Sequence, residues 1–311
     1  MSNRTLFALV SPLALLGAHA ALAQAPAAPA APAQPDFSAV QIKVHQVAGN
    51  FYYLEGQGGN VGVLVGDDGV LMIDDQFAPL TEKLVTAVKT ISKKPIKMLV
   101  NTHVHGDHTG GNENIGKMGV EIIAHDNVRS RLVKGVNGAP PSPAVGLPVV
   151  TFGDGIGLHY DGEDLEVGKL PPAHTDGDSY IKLTKADVIH VGDVFRTVGY
   201  PIVDGPNGGT VKGTLAALQK IIDMAGPNTK ILPGHGVVVS RDQIASFRDA
   251  VAEAQNRVSA LIKQGMTLPQ VIAANPTADL VPKFATTGDP PNAMATERFL
   301  TLFYNALKTE L

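Results

Sequence analysis

The sequence predicts an α+β fold in which sheets are packed inside helices, and two observations point to it. Two successive rounds of short strands followed by helices run along the chain, which does not fit a purely parallel wound sheet. The 311 residues are 44% hydrophobic and 17% charged, a globular composition with enough residues for a large buried core. We therefore expect one large domain that mixes helices and strands.

The first 23 residues have the features of a secretory signal peptide. Arg4 precedes an apolar run that is too short to span a membrane, and Ala21-Leu22-Ala23 offers a cleavage site. Residues 24–36 are an Ala/Pro-rich tether, which predicts a semi-extended spacer. We therefore expect a domain over residues 37–311 in a periplasmic or secreted protein that has no membrane anchor.

The first round of elements begins near residue 51. Short β-branched runs between Gly and Asp residues predict strands, and apolar residues at helical spacing predict helices. The predicted strands are 51–54, 61–65, 70–73, 96–100 and 121–124, and the predicted helices are 80–92 and 127–134. Residues 135–150 are rich in Gly, Pro and Ala and predict a loop at the border of a pocket.

The second round repeats this order. Two predicted capping boxes, Ser240 with Gln243 and Thr267 with Gln270, mark the starts of two late helices. The predicted strands are 163–167, 180–184, 187–191 and 230–232, and the predicted helices are 211–225, 240–264, one from 267 onwards, and 294–308. In the last helix we expect the large apolar side chains to lie in the core: Met294, Phe299 and Phe303.

The composition excludes several classes of function. Lys and Arg total 25 against 29 Asp and Glu, and the net charge of -4 argues against a general nucleic-acid or anionic-membrane binder. The chain has 0 Cys, which excludes disulfides, thiolate nucleophiles, Fe–S clusters and Cys-ligated zinc. The 10 His therefore become the main candidates for chemistry.

Residues 101–112 concentrate possible metal ligands. They contain His103, His105, Asp107 and His108 directly after a predicted strand. Two His at i and i+2 of an extended segment point the same way, and the Asp and His after the intervening glycine can turn toward a second point. Neutral imidazole and carboxylate are ligand types that suit zinc, so this segment predicts a metal site.

The H-x-H-x-D-H pattern after a strand that ends in Asn-Thr resembles the motif of the metallo-β-lactamase superfamily. The resemblance continues in order from about residue 49 to residue 236. It includes a strand that ends in Asp and three later segments: 70–74, 172–178, 190–195 and 233–236. The resemblance implies the metallo-β-lactamase fold, an αββα sandwich with its site at the strand ends between the two halves. Within the superfamily, the sequence resembles in type the periplasmic zinc β-lactamase-like proteins that carry Asp in place of the Cys ligand.

The resemblance also implies two zinc ions per chain. It implies a first site of three imidazoles: His103, His105 and His174. It implies a second site of one carboxylate and two imidazoles: Asp107, His108 and His235.

Three further carboxylates have roles implied by the resemblance or expected from their position. Asp193 would bridge the two ions, with a place just outside them as the alternative. Asp74 would orient a metal ligand from outside the ligand set. Asp178 is expected to support the loop of His174 and not to bind metal.

The predicted reaction is hydrolysis of an acyl bond in a small molecule by a metal-bound hydroxide that Asp107 orients. A β-lactam comes first as substrate, because an enzyme of the predicted location meets antibiotics and would confer resistance to them. Lactone or thioester hydrolysis is the alternative, since a bridging Asp is typical of such members of the superfamily. A mononuclear iron oxygenase and a non-catalytic metal-binding protein are the further alternatives.

Substrate contacts are expected from two segments near these ligands. The loop 55–60 is expected either to fold over the site or to form a plain hairpin turn. The loop 204–209 and the residues just after Asp193 are expected to line the pocket. The candidate contacts are Tyr53, Gln57, Asn60, Arg196 and Tyr200.

Overall fold

The computed structural model describes Met1 and residues 36–311. The predicted signal peptide and tether fall outside these residues, apart from Met1 and Asp36, so the domain boundary at residue 37 stays a prediction. Within the described range, seven strands form the first sheet in chain order: β1 (Lys43–Ala48), β2 (Phe51–Glu55), β3 (Val61–Val65), β4 (Val70–Ile73), β5 (Ile96–Val100), β6 (Glu121–His125) and β7 (Val150–Phe152). Five more strands form the second sheet, and neighbours in this sheet are also consecutive in the chain: β8 (Gly155–Tyr160), β9 (Glu163–Lys169), β10 (Ser179–Leu183), β11 (Val188–His190) and β12 (Lys230–Leu232).

Parallel pairing in each sheet places the segments that follow the strands at the same edge of the sandwich. In the first sheet β4, β5, β6 and β7 run parallel, with Ile73 opposite Val100 in the register of β4 and β5. In the second sheet β11 and β12 run parallel, with His190 opposite Leu232. The carboxyl ends of parallel strands lie together, so the segments that follow these strands meet at the edge of the sandwich.

The α-helices within the described range include long ones that cover the outer faces of the sheets and short ones in the loops between strands. They are α1 (Thr81–Ile91), α2 (Gly106–Thr109), α3 (Asn112–Lys117), α4 (Asp126–Lys134), α5 (Val211–Met224), α6 (Arg241–Lys263), α7 (Leu268–Ala274), α8 (Val281–Phe284) and α9 (Ala293–Glu310). Both predicted capping boxes are present, since Gln243 accepts from the Ser240 amide at 3.1 Å and Gln270 from the Thr267 amide at 2.8 Å. No helix among the described residues is both long and apolar enough to cross a bilayer.

Three apolar layers hold the fold together. Between the sheets, buried side chains of the first sheet such as Phe51 and Leu64 pack with those of the second such as Ile181 and Leu232. A second cluster joins the outer face of the first sheet to α1, and a third joins the second sheet to α5, α6 and α9. The predicted α+β class is thus confirmed as an αββα sandwich.

Most predicted strands and helices are found, and the differences lie in exposed or short elements. Strands β1 and β8 were not predicted, because much of each is exposed at or near a sheet edge and carries no continuous buried run. Strand β7 is only three residues long and follows the predicted loop. The expectation for Met294 is wrong: its side chain is 78% exposed at the first turn of α9, whereas Phe299 and Phe303 are buried as predicted.

Candidate metal centre

The first group of candidate ligands consists of three histidines. The ligand nitrogens of His103, His105 and His174 lie within 4.8 Å of one another, and His105 Nδ1 is 2.8 Å from His174 Nε2. Burial lowers the pKa of His103 well below its usual value and that of His174 to about 4. Both rings are therefore neutral near pH 7, the state in which an imidazole nitrogen can bind a metal ion.

The second group combines one carboxylate with two imidazoles. The ligand atoms of Asp107, His108 and His235 also lie within 4.8 Å of one another, and Asp107 Oδ2 is 3.1 Å from His235 Nε2. Burial alone would lower the pKa of His108 and of His235, but the carboxylate of Asp193 raises both. A bound cation would neutralise the negative charge of the Asp193 carboxylate.

Asp193 lies between the two groups on the short helix Gly192–Val194 that follows β11. One of its oxygens is 3.2 Å from His108 Nε2, and the other is 3.4 Å from His235 Nε2 and 3.7 Å from His174 Nε2. With His103 and His108 it forms a further set of possible ligands within 4.8 Å. The carboxylate therefore reaches both groups, as a bridging ligand must.

Three buried atoms in this cluster test whether a metal ion fits. His103 Nε2, His108 Nε2 and Asp193 Oδ1 make no well-aligned hydrogen bond among the described residues, although the last two atoms lie 3.2 Å apart. Leaving a buried polar atom unpaired costs about 1–3 kcal/mol, so three at one point need a common partner. Imidazole nitrogens and a carboxylate oxygen suit a transition metal such as zinc, so the residues present fit the ion that the sequence predicts.

Two outer carboxylates hold the ligands in place. Asp74 accepts hydrogen bonds from the Thr102 amide and hydroxyl and from His108 Nδ1, each at 2.7 Å, which turns His108 Nε2 toward the cluster. Asp178 accepts from the amides of His174 at 2.7 Å and Thr175 at 3.0 Å, so it fixes the loop that carries His174. Burial raises the pKa of Asp178 to about 7 in spite of these hydrogen bonds.

Asp204 belongs to the site, although the sequence did not single it out as a partner of a ligand. Its Oδ2 is 2.7 Å from His105 Nε2, and Asn207 Nδ2 donates to the same oxygen at 2.7 Å. Hydrogen bonds from His105 and Asn207 lower the pKa of Asp204 well below its usual range, against the effect of burial. An ionised Asp204 fixes the His105 ring so that Nδ1 faces His174. The loop 204–209 was expected only to line the pocket.

The Asp204→Ala variant is expected to bind metal at the three-histidine site about 10–100-fold more weakly, because outer partners of ligating His have effects of this size. Competition with a chromophoric chelator measures the affinity. The Asp164→Ala variant is the matched control, since Asp164 accepts from His159 at 2.6 Å on the exposed surface. Equal affinity in both variants would refute the positioning role.

The loop 55–60 is a support of the centre and not a flap. The Gly59 amide donates to Asp107 O at 3.0 Å, and the Asn60 amide donates to Gly234 O at 2.6 Å. A Cβ on Gly59 would lie 2.1 Å from Cε1 of His108, so only glycine fits against that ring. Of the two expectations for this loop, the hairpin turn between β2 and β3 is the one found.

The five expected substrate contacts separate in the structure. Tyr53 is buried between the sheets and stacks on His45 with ring centres 4.5 Å apart, so it does not reach the site. Asn60 is buried and donates to Pro233 O and Gly236 O, which holds the loop of His235. Gln57 is exposed and lines none of the cavities among the described residues that contain candidate ligands. Tyr200 is buried beside α9 and does not line the cavity that contains the ligands, but it lines a neighbouring one.

The candidate metal centre opens into a cavity of about 510 Å³. Ligands from both groups line it, and so does Arg196, as expected. A second cation, Arg298 of α9, lines the same cavity. The cavity thus combines a cluster of metal ligands with two guanidinium groups, which suit a small molecule that carries a negative charge.

Comparisons with known proteins agree with this geometry. A profile of the metallo-beta-lactamase superfamily matches residues 54–235. The hydroxyacylglutathione hydrolase of Nitrosococcus oceani is 29% identical over 161 residues, which cover 50% of this chain and 55% of that protein. The beta-lactamase-like protein 2 homolog of Caenorhabditis elegans is 25% identical over 182 residues, 57% of this chain and 56% of that protein. The chain thus spans about half the length of the curated relatives it matches.

Solved structures show the same fold at low identity. A metallo-beta-lactamase from Pontibacter korlensis superposes with a TM-score of 0.59 and 20% identity, covering 68% of this chain and 99% of that one. A sec-alkylsulfatase from Pseudomonas sp. superposes with a TM-score of 0.66 and 20% identity, covering 85% of this chain and 50% of that one. At this identity the likeness concerns the fold alone.

Proposed function

Because the chain belongs to the metallo-beta-lactamase superfamily, we propose that it is a zinc-dependent hydrolase that cleaves an acyl bond in a small anionic molecule. One observation carries the proposal: the buried, unpaired ligand atoms of His103, His108 and Asp193 point to one place. Such a site fits a metal ion better than a packed core, where buried polar atoms find partners.

We assign the ligands by their grouping. His103, His105 and His174 would hold one zinc ion, and the other would lie among the second group: Asp107, His108 and His235. Asp193 would serve both. Bound zinc supplies Lewis acidity, which polarises a carbonyl group and lowers the pKa of water from 15.7 to about 7.

Asp107 is the residue that we assign to proton transfer. It lines the cavity, and its Oδ2 is 3.1 Å from His235 Nε2. Burial opposes ionisation, but the hydrogen bond from His235 and the charge of His108 lower the pKa of Asp107 to about 2. The ionised carboxylate can orient the attacking water, accept its proton and return that proton to the leaving group.

Two cations of the cavity support an anionic substrate. Arg196 lines the cavity, and its Nε donates to Val198 O at 2.7 Å, which restrains the guanidinium group. A guanidinium group binds a carboxylate in a planar, two-bonded arrangement. We therefore propose that the substrate carries a carboxylate or a similar anion near the bond that breaks.

A β-lactam is our first proposed substrate, since it combines a cyclic amide with a carboxylate. A thioester is the second, because two hydroxyacylglutathione hydrolases are among the relatives, and their matches cover 50% and 51% of this chain. The predicted export of the chain favours the first, whereas the names of these relatives favour the second.

A substrate panel tests the hydrolase proposal. Purified protein with zinc is expected to turn over at least one class among β-lactams, lactones, thioesters and phosphodiesters. The Asp107→Ala variant is expected to lower kcat about 10²–10⁴-fold, the usual contribution of acid–base catalysis. The Asp289→Ala variant is the control, because Asp289 is exposed and lines no cavity of the centre.

The same panel separates the alternatives. If no substrate shows metal-dependent turnover, the hydrolase proposal fails. One iron ion per chain, with oxygen consumption, would favour an iron oxygenase. Two bound zinc ions without turnover would favour a non-catalytic metal-binding protein.

We also propose that the chain acts in the periplasm or outside the cell, which rests on the predicted signal peptide over residues 1–23. We expect the mature chain to begin at Gln24, because cleavage follows the small-residue site Ala21-Leu22-Ala23. Intact-mass measurement of protein from the periplasmic fraction checks this. A chain that retains Met1 and stays in the cytoplasm would contradict it.

A further inference from the structure

A second cavity adjoins the metal centre and has no part in the chemistry described so far. Its volume is about 300 Å³, and it lies between the segment 199–202 and α9. Four residues line both cavities, so the two are adjacent: Arg196, Ile202, Arg298 and Leu302. A molecule held at the metal centre that passes over these four residues would reach the second cavity.

The second cavity is mainly apolar. Tyr200 forms part of its wall and is stacked on Phe299, with ring centres 4.4 Å apart and planes at 2°. The Tyr200 hydroxyl is turned away to Thr296 Oγ1 at 3.1 Å, so the ring presents an apolar surface. Met294 and Ala295, from the first turn of α9, complete the wall.

The border between the cavities is positively charged. Arg298 has no hydrogen-bond or ion-pair partner among the described residues, and it is exposed. None of the residues that line the second cavity is acidic. A hydrocarbon group beyond this border and an anion at it would complement the walls in both shape and charge.

We propose that this second cavity, here called the α9 pocket, is a substrate site that takes a hydrocarbon group of an anionic substrate. The inference rests on the proposed hydrolase function. It specifies the substrate class: an acyl compound with an anionic group at Arg196 and Arg298 and an apolar group against Tyr200, Met294 and Ala295.

Binding of straight-chain carboxylates, from butanoate to octanoate, tests the α9 pocket without turnover. Calorimetry with the purified, zinc-loaded chain measures each affinity. Every ligand has the same head group, so contacts to the zinc ions or to arginine do not alter the trend. Affinity is expected to rise about two- to fourfold per added methylene group.

Two variants of α9 address the apolar wall. The Ala295→Leu variant adds volume inside the pocket, so the ratio of octanoate to butanoate affinity is expected to fall toward one. The Met294→Gln variant replaces an exposed apolar side chain by a polar one of similar length and is expected to lower the same ratio. Since Met294 is 78% exposed, this change removes no core contact and the chain should fold.

A third variant addresses the charged border. Arg298→Gln is expected to weaken the binding of every carboxylate by the same factor, about two- to fivefold, which corresponds to the energy of an exposed charge pair. The Lys308→Gln variant is its matched control, because it removes a positive charge from the same helix away from the pocket.

Three outcomes would overturn the inference: a constant affinity along the series, an unchanged ratio in both wall variants, or equal effects of Arg298→Gln and Lys308→Gln. If a substrate of the panel is hydrolysed but the affinity stays constant from butanoate to octanoate, the proposed function stands and the α9 pocket is refuted. A rising series without any hydrolysis would keep the pocket and remove the proposed function.

Discussion

Replacing Asp193 with Ala is expected to weaken zinc binding more than a hundredfold and to abolish turnover. Its two oxygens lie 3.2 Å from His108, 3.4 Å from His235 and 3.7 Å from His174, so one carboxylate serves both groups of ligands. Loss of an outer partner of a ligand weakens metal binding about 10–100-fold, and loss of a shared ligand should exceed that. Metal analysis after dialysis against a graded chelator measures the effect.

The Asp193→Asn variant separates charge from shape. It keeps the size of the side chain, so the packing against Gly234 is unchanged. That packing is close, because a Cβ on Gly234 would lie only 1.9 Å from Asp193 Oδ1. It removes the negative charge, so an intermediate loss of zinc affinity is expected. If Asp193→Ala bound two zinc ions as tightly as the wild-type chain, Asp193 would have no role as a shared ligand.

Replacing Asp74 with Ala is expected to lower the free energy of unfolding by about 3–5 kcal/mol. The Asp74 side chain is fully buried and accepts from the Thr102 amide, the Thr102 hydroxyl and His108 Nδ1. Alanine leaves the Thr102 amide and His108 Nδ1 buried without this acceptor, while the Thr102 hydroxyl keeps its contact with His103 Nδ1 at 3.0 Å. It also frees the ring of His108. Urea denaturation in the presence of chelator measures this loss apart from any loss of bound metal.

The Asp67→Ala variant is the control for this stability effect. Asp67 lies exposed in the turn before β4, whereas Asp74 follows the other end of the same strand. An exposed substitution of this kind usually changes stability by no more than about 0.5 kcal/mol. A loss below about 1 kcal/mol in Asp74→Ala would show that the buried hydrogen bonds matter less than their geometry indicates.

The central strands could be predicted from the sequence because burial on both faces leaves a continuous apolar run. Strands β3 and β4 have the predicted bounds, 61–65 and 70–73. Strands β1 and β8 carry mostly exposed or half-exposed residues, so their sequences lack that signal. The same difference explains why the central strands were predicted and the exposed edge strands β1 and β8 were not.

The candidate ligands were predictable because they form short motifs at strand ends. The contact of Asp204 with His105 was not, since these residues are 99 positions apart and no local pattern joins them. The close approach of Gly59 to His108 was not predictable either, because it joins two segments that are distant in the sequence. The α9 pocket depends on how α9 packs against 199–202, which is a tertiary contact.

Anomalous X-ray diffraction from a crystal of the zinc-loaded chain tests the central claim most directly, because it locates each ion. We predict two peaks near Asp193. One should lie about 2.0–2.1 Å from nitrogens of His103, His105 and His174, and the other at the same distance from His108 and His235. No peak at these histidines, or zinc bound only elsewhere on the chain, would contradict the two-metal centre.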